Sequence, residues 1–162
     1  MGIAVFMDDG WCRVGSNSYG VNFMTESDLQ TQVADYLRLQ YPDVLFHSDF
    51  GGGTKLTPGQ AKKQKRQNGG RRAWPDMFIA EPFIDEGLFE DALCRGRLEH
   101  GLFLELKKDG TRLKKKNGEW ATPHIAEQAD VLQKLRERGY CAEFAVGFDE
   151  AKKIIDEYLG GK

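Results

Sequence analysis

The chain is poor in the residues that carry several common chemistries. It has three cysteines and three histidines in 162 residues. Cys12, Cys94 and Cys141 stand far apart, form no CxxC pair and are odd in number, which argues against a disulfide framework or a thiolate zinc site. His47, His100 and His124 show neither HExxH nor a His/Cys metal spacing and read as surface or core histidines. There is no GxSxG, and Gly51-Gly52-Gly53-Thr54-Lys55 lacks the GxxxxGK[ST] spacing of a phosphate loop. No apolar run approaches the ~18–20 residues of a membrane span. The opening MGIAVFMDDGWCRVG has acids where a signal peptide needs bases. These absences predict a reduced, cytoplasmic protein with incidental thiols and no membrane partner.

What is present suffices for a core. Hydrophobic residues are 40% of the chain and charged residues 30%, and the length fits one domain at roughly 100–200 residues each. The net charge of −2 conceals a strong segregation. Lys55, Lys62, Lys63, Lys65, Arg66, Arg71 and Arg72 occur with no acid between them. Lys107, Lys108, Arg112, Lys114, Lys115 and Lys116 form a second block, interrupted only by Asp109. Between the blocks, Asp76 to Asp91 holds six acids and no base. Such runs are often just solvated faces. Two of them flanking an acid-bearing segment favour a polyanion partner, with DNA-backbone contacts from the basic residues. Trp74, next to Arg71 and Arg72, adds an aromatic group.

Periodicity and punctuation give the elements. Residues 1–23 read as an extension, with a turn at Asp8-Asp9-Gly10. Thr25-x-x-Asp28 resembles a capping box opening a helix whose Leu29, Val33, Tyr36 and Leu37 follow the 3.6 period up to Tyr41-Pro42-Asp43. A strand over Val44–His47 precedes a basic loop, 51–74, holding a short helix around Pro58–Gln67. A second strand, Asp76–Ala80, leads to an acidic insertion, 81–101, with a short helix over Gly87–Arg95. The third strand is Leu102–Lys107, followed by a basic hairpin turning at Asn117-Gly118. Thr122 and Pro123 start a helix through Ile125, Ala129, Leu132 and Leu135, which Gly139 stops. A strand over Tyr140–Val146 and a helix from about Asp149 to Gly160 close the chain. The order α-β-β-β-α-β-α predicts an α/β fold with one mixed sheet flanked by helices. Its last two strands are parallel through a right-handed crossover.

Several polar residues stand where an apolar side chain is expected. In GLFLELKKDG, alternation puts Leu102, Leu104 and Leu106 on one face and Phe103, Glu105 and Lys107 on the other. A buried carboxylate is costly unless it is paired or bound to a cation. A Glu105–Lys107 ion pair would explain the one, and a Pro75-Asp76 turn the other. If the second and third strands pair antiparallel, however, Asp76 and Glu105 converge. Converging carboxylates repel unless a proton or cation lies between them. An all-oxygen donor set suits Mg²⁺ or Mn²⁺. Glu26 falls on the buried stripe of the first helix, three residues before Leu29 and seven before Val33; a helix-dipole role is the simpler alternative. Gln128 falls on the core face of the helix that Thr122 and Pro123 start, between Ile125 and Leu132.

The string Glu26, Trp74-Pro75-Asp76, Glu105-Leu106-Lys107 and Gln128 resembles the PD-(D/E)XK nuclease pattern, and more narrowly the stand-alone phage form of the virus-type replication-repair nuclease (VRR-NUC) domain. The opening TESDLQTQVADYLRLQYP and the ending HIAEQADVLQKLRERGYCAEFAVGFDEAKKIIDEYL are similar to that family's first helix and its closing helix-strand-helix. The resemblance spans residues 24–160 as one nuclease domain and implies a restriction-endonuclease-like αβββαβ core. It implies Mg²⁺ or Mn²⁺ held by Asp76, Glu105 and the backbone carbonyl of Leu106, with Glu26 direct or through water. Lys107 would position the attacking water, and Gln128 would orient Lys107 or the phosphate. The implied reaction is hydrolysis of DNA phosphodiesters to 5′-phosphate and 3′-hydroxyl ends in replication, repair or recombination. Homodimers, branched DNA such as four-way (Holliday) junctions, and a bacterial or phage-infected host cytosol go with it. The alternatives are a non-catalytic DNA-binding or scaffold protein of the same fold, and a non-specific or nicking endonuclease. Two departures stand out. Ala73-Trp74 occupies a place where the family usually has glycine, and 28 residues separate Asp76 from Glu105.

Overall fold

In the computed structural model, residues 24–49, 57–67, 73–84 and 98–160 are described. The extension 1–23, the 51–55 glycine run and the expected helix at Gly87–Arg95 lie outside them. The order is α1 (Glu26–Gln40), β1 (Phe46–Ser48), α2 (Pro58–Gln67), β2 (Met77–Ile79), β3 (Phe83–Ile84), β4 (Leu98–Glu99), β5 (Leu102–Lys107), α3 (Pro123–Arg136), β6 (Cys141–Val146) and α4 (Phe148–Leu159).

Local chemistry sets the ends. Thr25 and Asp28 close a full capping box at the start of α1, each accepting from the other's backbone N–H. Thr57 and Gln60 do the same around Pro58 at the start of α2. Thr122 accepts from Ile125 N–H and Pro123 follows it, so α3 starts where its sequence says. Gly139, at φ +80°, turns the chain out of α3 into β6, a conformation that disfavours any side chain.

The four-stranded sheet has the order β1-β2-β5-β6. β1 with β2 and β2 with β5 are antiparallel, and β5 with β6 is parallel. The expected α/β fold, a mixed sheet flanked by helices with a closing helix, is present. The insertion adds an element that the sequence did not suggest: its two ends pair as the small sheet β3·β4. The basic hairpin is looser than two strands, with a single bridge between Lys114 and Trp120.

Both faces of the sheet are covered, so β5 is buried at every residue. On one face Leu102, Leu104 and Leu106 pack with Leu29, Val33 and Leu37 of α1 and Ile154, Ile155 and Leu159 of α4. On the other, Phe103 packs with Val131, Leu132 and Leu135 of α3 and with Ala73. Full burial at roughly 1.5–3 kcal/mol per large apolar side chain makes these two layers the main source of stability. Tyr36 and Tyr41 both donate to Asp156, tying the end of α1 to α4. Cys141 is disulfide-bonded, so the expectation of incidental reduced thiols does not hold for it. No helix among the described residues is long and apolar enough to cross a membrane.

Candidate active site

The β2·β5 register carries the site. Met77 pairs with Leu104 and Phe78 with Phe103. Antiparallel continuation brings the start of β2 against the end of β5, where Asp76 meets the Glu105–Lys107 segment. Asp76 accepts from the Leu106 N–H through Oδ2 at 2.9 Å. Glu105 lies on the α3 face, 2% exposed. It accepts from Lys107 Nζ at 2.8 Å and from the side-chain amide of Gln128. Lys107 is itself 6% exposed and also stands 3.7 Å from a Glu26 carboxylate oxygen.

Leu106 contributes main chain. Its N–H leaves the β2 edge of β5, while the Lys107 carbonyl leaves the β6 edge and accepts from Gly147 N–H at 2.7 Å. In an extended strand the N–H and C=O of one residue leave the same edge, so the Leu106 carbonyl also faces Asp76.

Electrostatics follow from burial. Burial raises Glu105, the Asp76 charge raises it further, and Lys107 opposes both; the net result is a carboxyl pushed up to about 8. Burial likewise raises Asp76, against the Leu106 N–H and Lys107, which pull it down. Burial alone would lower Lys107, but Glu105, Glu26 and Asp76 together outweigh it and hold the ammonium above its ordinary value.

The structure thus brings Asp76, Glu105, Leu106, Lys107 and Gln128 together, with Glu26 at the rim. One expectation needs correction. Glu26 does not sit in the buried stripe of α1; its side chain is 52% exposed, and it reaches the site through Lys107. Gln128 is buried as expected, and its amide donates to the Glu105 oxygen that also accepts from Lys107. Its Oε1 is buried without a hydrogen-bond partner.

The residues fit a divalent cation in part. Asp76, Glu105 and the Leu106 carbonyl form an all-oxygen donor set of the kind Mg²⁺ or Mn²⁺ takes. Among the described residues, though, no group of three or more His, Cys, Asp or Glu side chains is placed to hold a metal.

The basic residues divide. Lys62, Lys63 and Arg66 of α2 are exposed, as are Lys108, Arg112, Lys114, Lys115 and Lys116 of the hairpin. Lys115 pairs with Glu119 at 3.4 Å, and Lys114 Nζ lies 5.0 Å from the Trp120 ring centre. Lys55, Arg71, Arg72 and the side chain of Lys65 lie outside the described residues. His47 and His124 are exposed.

Sequence reasoning missed Gln30. Its side-chain amide donates to the Asp49 carbonyl at 2.7 Å and to the Asp76 carbonyl at 3.1 Å. The Asp49 N–H donates to the same Asp76 carbonyl at 2.8 Å. Gln30 therefore fixes the main chain that aims the Asp76 carboxyl. Its place one turn after Glu26 was the available signal.

Comparison with known proteins agrees with this architecture. No family model and no curated protein matches the chain. A solved structure described as a VRR_NUC domain protein is similar to it, at 26% identity and a TM-score of 0.51, over 84% of this chain and 88% of the other. That likeness supports a VRR-NUC domain and, with it, a nuclease domain.

Proposed function

We propose that residues 24–160 are a PD-(D/E)XK nuclease domain that hydrolyses DNA phosphodiesters with Mg²⁺ or Mn²⁺, acting on branched DNA such as four-way junctions. The observation that carries it is the buried Glu105, held by Lys107 and Gln128, with Asp76 placed on the Leu106 N–H of the same strand. A buried carboxylate is costly unless it is paired or bound to a cation.

Asp76, Glu105 and the Leu106 carbonyl would hold the cation, with Glu26 contributing directly or through water. When bound, such an ion neutralises charge on the phosphate and makes water a stronger nucleophile near neutral pH. Lys107, fixed by Glu105 and Glu26, orients the attacking water and balances the charge that develops on the phosphoryl oxygens. Gln128 holds Glu105 in place for Lys107. Attack at phosphorus releases the 3′-oxygen, which takes a proton from solvent, leaving 5′-phosphate and 3′-hydroxyl ends. The bases of 55–72 and 107–116 hold the backbone without reading sequence. A homodimer would present two such sites to a symmetric junction.

The test is incubation with plasmid, linear duplex, flap and four-way junction DNA, with and without Mg²⁺ or Mn²⁺. Cleavage needs the metal, and Asp76→Ala abolishes it while most DNA affinity remains. Full metal-dependent activity in Asp76→Ala removes this site, and binding without cleavage of any substrate leaves a DNA-binding protein of the same fold. Neutralising Lys62, Lys63, Lys65 and Arg66 together weakens binding and flattens its salt dependence by roughly 0.9 per lost phosphate contact. An unchanged slope removes α2 from the grip.

A further inference from the structure

One exposed ring beside the site takes no part in the hydrolysis. Trp74 is 42% exposed although its neighbours Ala73 and Pro75 are both buried. Its ring stands edge-on to Phe103, with centroids 5.8 Å apart and an interplanar angle of 84°. Phe103 stacks on Phe78 at 4.4 Å and meets Tyr140 edge-on at 5.3 Å. Trp74 is therefore the outer member of a row of packed aromatic rings, supported from beneath and anchored by buried main chain on either side. It lies two residues before Asp76, and the ring it rests on lies two residues before Glu105.

A large ring held in water keeps apolar surface exposed, which is unfavourable until something covers it. The ring is already fixed, so covering it loses little rotamer freedom. The exposed bases of α2 and of the hairpin select a polyanion. A flat apolar face attached to a phosphate chain is a nucleobase. In an uninterrupted duplex each base has both faces stacked, so only an unpaired or displaced base can offer one to an aromatic side chain.

We propose that Trp74 is a stacking site for an unpaired nucleobase next to the phosphate that is cut, so that DNA with a flap, bulge or single-stranded stretch is preferred over uninterrupted duplex. This rests on the nuclease reading for the position of the cut. The base-stacking itself is measurable without any cleavage.

The experiment uses the full chain in Ca²⁺ buffer, with oligonucleotides carrying 2-aminopurine at the unpaired position of a bulge or flap, and a fully paired control. Binding changes the 2-aminopurine emission in the bulge and flap. Trp74→Ala abolishes that change and weakens bulge and flap binding by on the order of tenfold or more, leaving duplex affinity as it was. Trp74→Phe, which keeps an aromatic face and controls for folding, retains most of both. Equal loss of affinity for duplex and flap in Trp74→Ala overturns the proposal, as does no loss for either. A Trp74→Ala chain that only changes from dimer to monomer overturns it too. A protein that shows the stacking signal but cuts nothing in Mg²⁺ loses the nuclease reading and keeps this one.

Discussion

The two faces of β5 are built from one six-residue stretch and do opposite things. Leu102, Leu104 and Leu106 point into an apolar layer shared with α1 and α4. Phe103, Glu105 and Lys107 point toward α3, where two of the three are buried ionisable groups. The first face stabilises by simple transfer of apolar surface. The second carries a carboxyl driven up to about 8 because burial penalises its charge. Asp156, on the apolar side, shows the contrary case. It also feels burial, but hydrogen bonds from Lys152, Tyr36 and Tyr41 outweigh it and hold its carboxyl below the ordinary range. The contrast is one of burial: Asp156 is partly exposed and well supplied with donors, whereas Glu105 lies deep enough for desolvation to outweigh its two.

The sharpest test of this contrast is Glu105→Gln. On the proposed mechanism, cleavage falls by roughly a thousandfold or more, because the carboxylate is removed from the reacting centre. The melting temperature falls, because the buried Lys107 ammonium loses its nearer carboxylate and keeps only the more distant Glu26. A large stability loss with residual cleavage would assign Glu105 to structure instead. Leu104→Ala reverses the pattern. It destabilises by about 2–5 kcal/mol in urea titration through a cavity in the layer, while specific activity of the folded fraction changes little. Gln30→Leu lies between the two. Loss of its amide from the Asp76 carbonyl lowers turnover by about tenfold and stability by about 1 kcal/mol, with DNA affinity unchanged. Equal kinetics in the variant would show that Asp76 is aimed by the strand alone.

The smallest effect is at Asp156. Its folded value is depressed below 3.8, so the unfolded chain protonates first as the pH falls. Its contribution is complete above about that pH and disappears as the pH drops through the depressed folded value. Asp156→Asn lowers stability at neutral pH by about 1 kcal/mol and makes the acid limb of a pH–stability curve shallower. An unchanged acid limb would remove the α1–α4 tie from the comparison.

Much of the scaffold was legible in the chain, because its signals are local. Thr25 with Asp28, Thr122 with Pro123, and Gly139 mark helix ends by chemistry within one turn of the backbone. Alternation in LFLELK identified the two faces of β5, and the burial of Gln128 followed from helical spacing. The β3·β4 pair was not legible, since two-residue strands 14 residues apart leave no periodicity to read.

Sequence by itself determined which side chains are out of place: an acid in an apolar strand, an acid after a proline, an amide on a core face. Only the tertiary structure decided what they touch. The β2·β5 register set Asp76 on the Leu106 N–H, α3 packing turned Gln128 onto Glu105, and the first turn of α1 left Glu26 half exposed beside Lys107. The physical reason is range. Caps and periodicities act over one turn or one pleat, whereas partners 23 to 46 residues apart are chosen by how whole elements pack.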